Sequence, residues 1–343
     1  MDQKRILVVG ATGAMGQYLV PVLAEMGHKV DALALNTLEY THPNLNSFSG
    51  NAQDYEFMHK LVTENKYDAI VDFMIYHTPM LAQWLPMMSQ STDHYIYLST
   101  YRIYDNKEVP IRETSPRLLD TADDIILRNS DDYSIYKARG ENIMRVMPRK
   151  NWTIIRPAIT YSLLRNQLVT LEVHFTVGRA LAGKPTILPI QAKDVQGTMS
   201  WAGDVAQMIS RLLFNEKALG ETFTVATSEH HTWGEIADYY KDICGLKAVW
   251  VDKEDFYETL CGTRDYNRTL GARWQLECDR LFTRIMDNSK VLSVTGMKQE
   301  DLKPLYDGLA YEVGRCPRDF DFCPNAGIVA AWERMDAMAA KVL

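Results

Sequence analysis

Short apolar runs alternate with longer amphipathic stretches through the first half of the chain. The apolar runs predict β-strands at residues 5–9, 29–33, 45–48, 69–73, 95–99 and 153–156. Between them, apolar residues recur at helical spacing over residues 14–26, 54–64, 79–91 and 133–147. This alternation predicts repeated βα units, and therefore an α/β fold built on a doubly wound parallel sheet. Such sheets bind ligands beyond the carboxyl ends of their strands, so the residues just after strands are the functional candidates.

The pattern changes after Pro157. A helix is predicted over residues 171–182, an apolar run over 186–189, a strand over 222–226, and a helix from near Thr232 to near Gly245. From residue 246 onward the sequence shows helical fragments without clear alternation. We therefore predict a first domain over residues 1–160, to which the chain returns at about 196–230, and a smaller lobe made mainly of residues 161–343.

Composition narrows the class of protein. The chain has 343 residues, 46% of them hydrophobic, and a net charge of −7, which is typical of a globular protein in solution. The acidic balance disfavours a nucleic-acid partner, because such proteins concentrate Lys and Arg on one face. Five cysteines without a C-x-x-C pair predict neither a disulfide framework nor a metal site. No signal-peptide pattern or bilayer-length apolar run occurs, so we expect a cytoplasmic protein without a membrane partner.

A glycine-rich turn follows the first predicted strand and opens the first helix. In this context three glycines at G-x-x-G-x-x-G spacing indicate a nucleotide-binding loop, because small residues let the backbone approach a pyrophosphate at a helix N-terminus. The alternative is a tight strand–helix turn without a ligand. The predicted cofactor-binding residues of this loop are Gly10, Thr12, Gly13, Ala14, Met15 and Gly16.

The end of the second strand leaves the choice of dinucleotide open. An acid at this point would bind the adenosine ribose and select NAD, yet residues 33–36 contain neither an acid nor the Arg of a 2′-phosphate pocket. Asn36 can bind a ribose hydroxyl, and the glycine loop has no basic residue. We therefore predict NAD and keep NADP as the alternative. Asp54 is predicted to bind the adenine amino group, to cap a helix, or both.

Two pairs of polar residues lie where a catalytic site is expected. Tyr133 and Lys137 lie four residues apart on one helical face, and an ammonium near a phenol favours the phenolate. Ser99 and Thr100 end the fifth strand, where Thr100 can hydrogen-bond the oxygen that Tyr133 deprotonates. The alternatives are a solvated helix face for the first pair and capping of a strand end for the second.

These features together resemble the extended short-chain dehydrogenase/reductase superfamily, specifically its NAD-dependent epimerase/dehydratase family. The resemblance covers nearly the whole chain and is more specific for fold than for substrate. It implies a Rossmann-type sheet with a smaller C-terminal substrate lobe. Besides the glycine loop, the residues that carry it are Asp54, Ser99, Thr100, Tyr104, Glu113, Tyr133, Lys137, Glu141, Arg156 and Pro157.

The resemblance also implies roles for individual residues. Tyr133 would be the general acid/base, Lys137 would hold the nicotinamide ribose, and Thr100 would polarise the reacting oxygen. Ser99 and the segment beginning at Pro157 would line the nicotinamide. Family members usually pair through two long helices, so we expect a homodimer through residues 79–91 and 133–147.

The sequence departs from the family pattern around this site. Tyr136 stands where Ser is usual before the lysine, and the loop that ends in His77 replaces a His-Leu-Ala-Ala pattern. Tyr101 and Arg102 occupy the positions at which dehydratases carry Asp-Glu, so dehydration is disfavoured. We take His77, Tyr101, Arg102 and Trp201 as candidate substrate contacts.

The leading hypothesis is an NAD-dependent epimerase of a nucleotide-activated sugar. The alternative is an NAD(P)H-dependent reductase or dehydrogenase of a ketosugar or another carbonyl compound. A third hypothesis, from another class, is a scaffold or RNA-associated member without turnover, as some plastid relatives are thought to be.

Overall fold

The computed structural model describes residues 2–343, which divide into two compact units. The first unit contains the chain up to Thr160 together with Ser200–Thr227 and Asp287–Leu302. The second contains Tyr161–Met199, Ser228–Met286 and Lys303–Leu343. The sequence pattern did not assign residues 287–302 to the first unit. Along residues 2–343, no helix combines the length and the apolar character that crossing a bilayer requires.

The strands of both units are short. In chain order they are β1 Arg5–Val9, β2 Lys29–Ala34, β3 Leu45–Ser49, β4 Tyr67–Asp72, β5 Thr92–Leu98, β6 Trp152–Ile155, β7 Ile159–Tyr161, β8 Pro185–Pro189, β9 Gln196–Gly197, β10 Met199–Trp201, β11 Glu221–Phe223, β12 His231–Thr232 and β13 Lys247–Val251.

The four helices predicted over residues 14–26, 54–64, 79–91 and 133–147 are present, together with further helices. In chain order the α-helices are α1 Gly16–Glu25, α2 Tyr55–Glu64, α3 Thr78–Gln90, α4 Leu118–Thr121, α5 Ile125–Asn129, α6 Tyr133–Val146, α7 Val177–Leu181, α8 Ala202–Leu212, α9 Trp233–Cys244, α10 Lys253–Cys261, α11 Leu270–Gln275, α12 Ser289–Thr295, α13 Leu305–Gly314 and α14 Ala326–Val342.

One parallel sheet forms the centre of the first unit. Within residues 2–343, seven strands hydrogen-bond in the order β11-β6-β5-β4-β1-β2-β3. The predicted fold class, a doubly wound α/β sheet of the Rossmann type, is confirmed. The direction of strand order reverses between β1 and β4, and ligands bind beside such a reversal point in sheets of this type.

Alternating residues of the sheet pack into two cores, one on each face. Ile6 and Val8 of β1 pack with residues of α1 and α8, while Leu7 and Val9 pack with residues of α2 and α3. Because strand side chains alternate between faces, a strand buried on both sides is apolar throughout, as the run at residues 5–9 is.

The second unit departs from the sequence prediction at residues 247–251, where the strand β13 pairs with β8 in a region expected to hold helical fragments, and at residues 171–176. The helix predicted over residues 171–182 is wrong for its first half, since only Val177–Leu181 is helical. Leu171 instead pairs with Leu168 across a turn in which Val169 has a φ of 54°, and residues 173–176 form further turns. The Thr176 hydroxyl closes this loop by donating to the Asn166 carbonyl at 2.7 Å. Tertiary hydrogen bonds therefore override a helical spacing of apolar residues.

A buried ion pair joins α6 to the sheet. The Arg156 guanidinium after β6 donates twice to the Glu141 carboxylate, at 2.7 and 2.6 Å, and both side chains are fully buried. Arg156 also donates to the Tyr104 hydroxyl at 2.8 Å and to the Glu113 carbonyl at 2.8 Å. Burial alone would raise the pKa of Glu141, but Arg156, with a hydrogen bond from Ser99, holds that pKa below its ordinary value. Such a pair is well satisfied, and removing one partner leaves the other charge buried.

We expect Glu141→Gln to lower the free energy of unfolding by about 3–5 kcal/mol at neutral pH, because Arg156 keeps its buried charge without a counter-charge. Urea denaturation measures this loss. Since the pKa of Glu141 is depressed in the fold, the pair stabilises the protein at neutral pH and loses its contribution as acid protonates Glu141. Glu300→Gln is the control, because Glu300 and Lys298 form an exposed pair worth at most about 1 kcal/mol. Equal losses in the two variants would contradict the assignment.

Candidate functional site

The glycine-rich loop starts where β1 ends, beside the reversal of strand order. Gly10 adopts a φ of +80°, a left-handed conformation that favours glycine, and its N–H donates to the Leu33 carbonyl at 2.8 Å. The loop is thereby fastened across the ends of β1 and β2. This places it at the edge of the sheet where the sequence predicted a nucleotide.

Two glycines of the loop lie where a side chain would press against the backbone. A Cβ on Gly16 would lie 2.4 Å from the Ala11 carbonyl oxygen, and one on Gly13 would lie 3.1 Å from the Gly10 oxygen. Met15, which precedes α1, makes no side-chain capping bond, so no side chain caps the first N–H groups of the helix at this position. Thr12 and Ala14 complete the loop. The backbone thus offers a close-fitting, N–H-rich cradle that suits a pyrophosphate.

The two predicted adenosine contacts lie at the ends of β2 and β3. Asn36 follows β2, and its Oδ1 accepts a hydrogen bond from the Thr12 hydroxyl at 2.9 Å, which links it to the glycine loop. Asp54 caps α2, accepting from the Phe57 N–H at 3.1 Å. The capping interpretation of Asp54 is therefore observed, and its contact with adenine stays a prediction.

Lys137 is buried beneath the carboxyl ends of β4 and β5. Its ammonium donates to the Leu98 carbonyl at 2.7 Å and to the Met74 carbonyl at 3.0 Å, and the residue is only 1% exposed. Burial lowers the pKa of Lys137 to about 8, and the charge of Asp72 opposes that shift. A lysine held in this way can donate to a ligand hydroxyl from one fixed position.

Tyr133 lies at the start of α6 with two cations against its ring. The Arg102 guanidinium carbon is 5.3 Å and the Lys137 nitrogen 5.9 Å from the ring centroid. Tyr136, one turn along, packs edge-on against Tyr133 with centroids 5.5 Å apart. Burial raises the pKa of Tyr136, so that phenol stays protonated. Tyr133 is partly exposed and has both cations against its ring, whereas Tyr136 is buried.

The residues after β5 form the third side of the site. Thr100 is 5% exposed, and its hydroxyl oxygen accepts from the Arg102 N–H at 3.2 Å. The Ser99 hydroxyl donates to Glu141 at 2.6 Å and therefore belongs to the buried ion-pair cluster. The Tyr101 N–H donates to the Pro157 carbonyl at 3.0 Å, which joins this segment to the end of β6. Glycine loop, Tyr133, Lys137 and Thr100 all belong to the carboxyl edge of one sheet.

The other three predicted substrate contacts also lie in the first unit. His77 precedes α3, where its Nδ1 is 2.8 Å from an oxygen of Asp131 and its ring lies 5.0 Å from that of Tyr136. Trp201 precedes α8 and packs edge-on against Tyr18 of α1 at 5.4 Å. Arg102 is 3.8 Å from the Asp132 carboxylate. Their roles toward a substrate stay predictions.

Sequence reasoning missed a set of buried polar residues in the second unit. Among residues 2–343, the Ser162 hydroxyl and both amide atoms of Asn166 are buried and have no hydrogen-bond partner. Both residues belong to a loop in which Leu164 and Val169 have positive φ, a strained conformation for branched side chains. Buried polar groups are normally paired, so this loop is a candidate ligand contact. No sequence pattern marks it, because the signal lies in its backbone conformation.

The fold and the site together define a class of protein. A parallel sheet with its order reversed at a glycine turn, and a Tyr-x-x-x-Lys helix at the same edge, defines the Rossmann class of α/β proteins. The chain belongs to the NAD dependent epimerase/dehydratase family, whose family model matches residues 6–226. The resemblance stated from sequence is confirmed.

Two solved structures of epimerases are similar to this chain in fold. The epimerase Mth375 of Methanothermobacter thermautotrophicus is 14% identical, with a TM-score of 0.68 over 97% of this chain and 94% of its own. The UDP-glucose 4-epimerase of Thermus thermophilus, solved in complex with NAD, is 17% identical, with a TM-score of 0.65 over 90% and 98% of the two chains. At these identities both show a shared fold.

Another relative is named for binding rather than for an enzymatic reaction. The chloroplast stem-loop binding protein of 41 kDa b of Arabidopsis thaliana is 24% identical over 255 residues, which cover 69% of this chain. The match spans 62% of that protein's length.

The burial of Lys137 predicts an unusual titration. In protein labelled with ¹³C at the lysine ε-carbon, we expect one NMR signal to titrate near pH 8, well below the value of exposed lysines. Lys137→Met should remove that signal and no other. If every lysine signal titrated above pH 10, the buried environment described for Lys137 would be wrong.

Proposed function

We propose that this protein is an NAD-dependent epimerase of a nucleotide-activated sugar. The observation that carries the proposal is the convergence of Tyr133, Lys137 and Thr100 on the sheet edge that also holds the glycine cradle. An acid/base, a cation and a hydroxyl donor next to a dinucleotide site are the groups that reversible oxidation of an alcohol needs.

The residues present fit NAD. The backbone of the glycine loop would hold the pyrophosphate, Asn36 and Asp54 would contact the adenosine, and Lys137 would hold the nicotinamide ribose. Asn36 and Thr12 bring no positive charge toward a 2′-phosphate, which favours NAD over NADP. Bound NAD would supply first the acceptor and then the donor of one hydride, so that the reaction ends without net redox change.

Each site residue then has one task. Tyr133 takes the proton of a sugar hydroxyl and later returns it. Arg102 and Lys137 stabilise negative charge on the phenol because both cations lie against its ring. Thr100 orients the reacting oxygen. Inversion would require the oxidised sugar to turn over in the pocket, so that its other face meets the cofactor.

Two features favour epimerisation over dehydration. Elimination of water needs its own acid and base, whereas here Tyr101 is buried and Arg102 is held between Asp132 and the Tyr133 ring. Epimerisation needs no such pair. The similarity in fold to the UDP-glucose 4-epimerase of Thermus thermophilus agrees with this choice.

The second unit is proposed to recognise the nucleotide part of the substrate. The unpaired amide of Asn166 and hydroxyl of Ser162 can both donate and accept hydrogen bonds, as a base or ribose requires. Two buried guanidinium groups stand in the same unit: Arg280 donates to the Val169 carbonyl at 2.7 Å, and Arg284 bonds Asp279 at 3.1 Å. Guanidinium groups suit phosphate oxygens.

Assembly is proposed as a homodimer through α3 and α6. Residues of these helices that point away from the sheet are exposed, among them Ala82, Gln83, Asn142 and Val146.

Binding of a stem-loop RNA is the second candidate function. The similarity to the Arabidopsis stem-loop binding protein favours it. The net charge of −7 and the intact Tyr133, Lys137 and Thr100 favour the enzyme.

The first test is mass spectrometry of nucleotides released by acid from freshly purified protein. We expect near-stoichiometric NAD, because a cofactor that is regenerated within each cycle need not leave. Protein that is empty but binds NADPH would indicate the reductase instead. Protein that binds neither nucleotide, yet shifts a stem-loop RNA in a gel, would indicate the RNA-binding function.

Tyr133→Phe should reduce epimerisation of UDP-sugars by about 10²–10⁴-fold, because the variant lacks the group that moves the hydroxyl proton. Conversion of UDP-glucose to its 4-epimer, followed by NMR, is the assay to begin with. Tyr136→Phe is the matched control on the next turn of α6 and should keep most of the activity. Unchanged turnover in Tyr133→Phe would refute the proposed chemistry.

A further inference from the structure

A buried carboxylate lies under the candidate site, at the end of an apolar strand. Asp72 is the last residue of β4, between β1 and β5, and is 2% exposed. Burying a carboxyl group in this way is unfavourable unless hydrogen bonds or a counter-charge compensate. The structure supplies both.

Hydrogen bonds from two elements converge on Asp72. The Tyr95 hydroxyl of β5 donates to Oδ2 at 2.8 Å, and the Met74 N–H donates to Oδ1 at 2.9 Å. Both donors favour the ionised carboxylate.

Met74 connects this carboxylate to the lysine of the site. Its N–H is bound by Asp72, while its C=O accepts a hydrogen bond from the Lys137 ammonium at 3.0 Å. The position of that carbonyl is therefore fixed by Asp72 through one residue. Leu98 supplies the second carbonyl, at 2.7 Å.

We propose that Asp72 is a positioning residue that holds the Met74 carbonyl on Lys137 and supplies the counter-charge that keeps the buried Lys137 an ammonium ion. This rests on the proposed function in one respect, that Lys137 serves the nicotinamide ribose. A charged ammonium donates hydrogen bonds to ribose hydroxyls and stabilises the Tyr133 phenolate, whereas a neutral amine does both less well.

Charge balance around Lys137 supports this assignment. Burial lowers the pKa of Lys137, and the one charge that opposes this among the described residues is that of Asp72. Burial also raises the pKa of Asp72, which its hydrogen bonds and Lys137 oppose. The other titratable groups that face this pair are phenols raised well above their ordinary pKa by burial, so they stay neutral: Tyr76, Tyr95 and Tyr97. On α6, Tyr133 and Tyr136 lie nearby, and Glu141 is neutralised by Arg156.

The test removes the negative charge of Asp72 and keeps the shape of its side chain. Asp72→Asn retains an oxygen for the Met74 N–H but no negative charge. In ¹³C-lysine protein we expect the Lys137 titration midpoint to fall by about one pH unit or more relative to the wild type. NAD affinity, measured by calorimetry between pH 6 and pH 9, should weaken severalfold at the alkaline end and recover toward the acid end.

Asp31→Asn is the matched control. Asp31 is also a buried aspartate of the sheet and also accepts from a tyrosine hydroxyl, that of Tyr67 at 2.9 Å, yet its ion pair is with Arg5. This variant should leave the Lys137 titration unchanged. An unchanged Lys137 titration in folded Asp72→Asn, or the same shift in both variants, would overturn the inference.

A second variant keeps the inference testable if Asp72→Asn does not fold. Tyr95→Phe removes one donor to Asp72 and retains the charged residue, so a smaller shift of Lys137 in the same direction is expected; no shift would count against the inference. The Lys137 titration needs no substrate. If it shifts while wild-type protein epimerises no sugar, the proposed function fails and the role of Asp72 stands; if wild-type protein epimerises and the titration does not shift, the reverse holds.

Discussion

The buried pair of Arg156 and Glu141 is the interaction on which the arrangement of the site depends. It fastens α6 to the end of β6, and α6 is the helix that carries both Tyr133 and Lys137. Through the Ser99 hydroxyl the same carboxylate reaches the end of β5, directly before Thr100. Close packing reinforces the connection, since Gly140 of α6 lies against the Tyr97 ring where no Cβ would fit. The helix that carries Tyr133 and Lys137 is thereby held next to Thr100, which comes from a distant part of the chain.

Much of this first unit could be predicted from the sequence, because its signals are local. A buried parallel strand needs apolar residues on both faces, so β1 could be located to the residue. The helix from Thr232 to Gly245 was equally clear, since a threonine with Glu235 three residues on forms a capping box and a glycine ends the helix in the left-handed conformation. The glycine turn and the Tyr-x-x-x-Lys spacing indicated the site for the same reason: each is a short pattern whose geometry follows from its own element.

What the sequence did not reveal depends on contacts between distant residues. Asp72 ends an apolar strand, and nothing in the sequence shows that the Tyr95 hydroxyl of β5 will donate to it. Residues 171–176 were expected to be helical, yet the Thr176 hydroxyl instead bonds the Asn166 carbonyl, and Arg280 bonds the Val169 carbonyl in the adjoining loop. Segment 287–302 lacks any motif of the first unit to which it belongs. In each case, tertiary hydrogen bonding and burial decide the conformation, and neither can be read from a local pattern.

The discontinuity of the first unit has a consequence for how the chain acquires its structure. Synthesis delivers β6 long before β11, its parallel neighbour, and longer still before α12 covers α8. During that interval β6 is an open sheet edge, the kind of surface that pairs with other chains. A nascent chain that has just emerged as far as residue 160 thus holds the glycine turn and the tyrosine–lysine helix on an unfinished sheet. Ribosome-associated chaperones would have the longest opportunity to act on this protein in the stretch between residues 160 and 302.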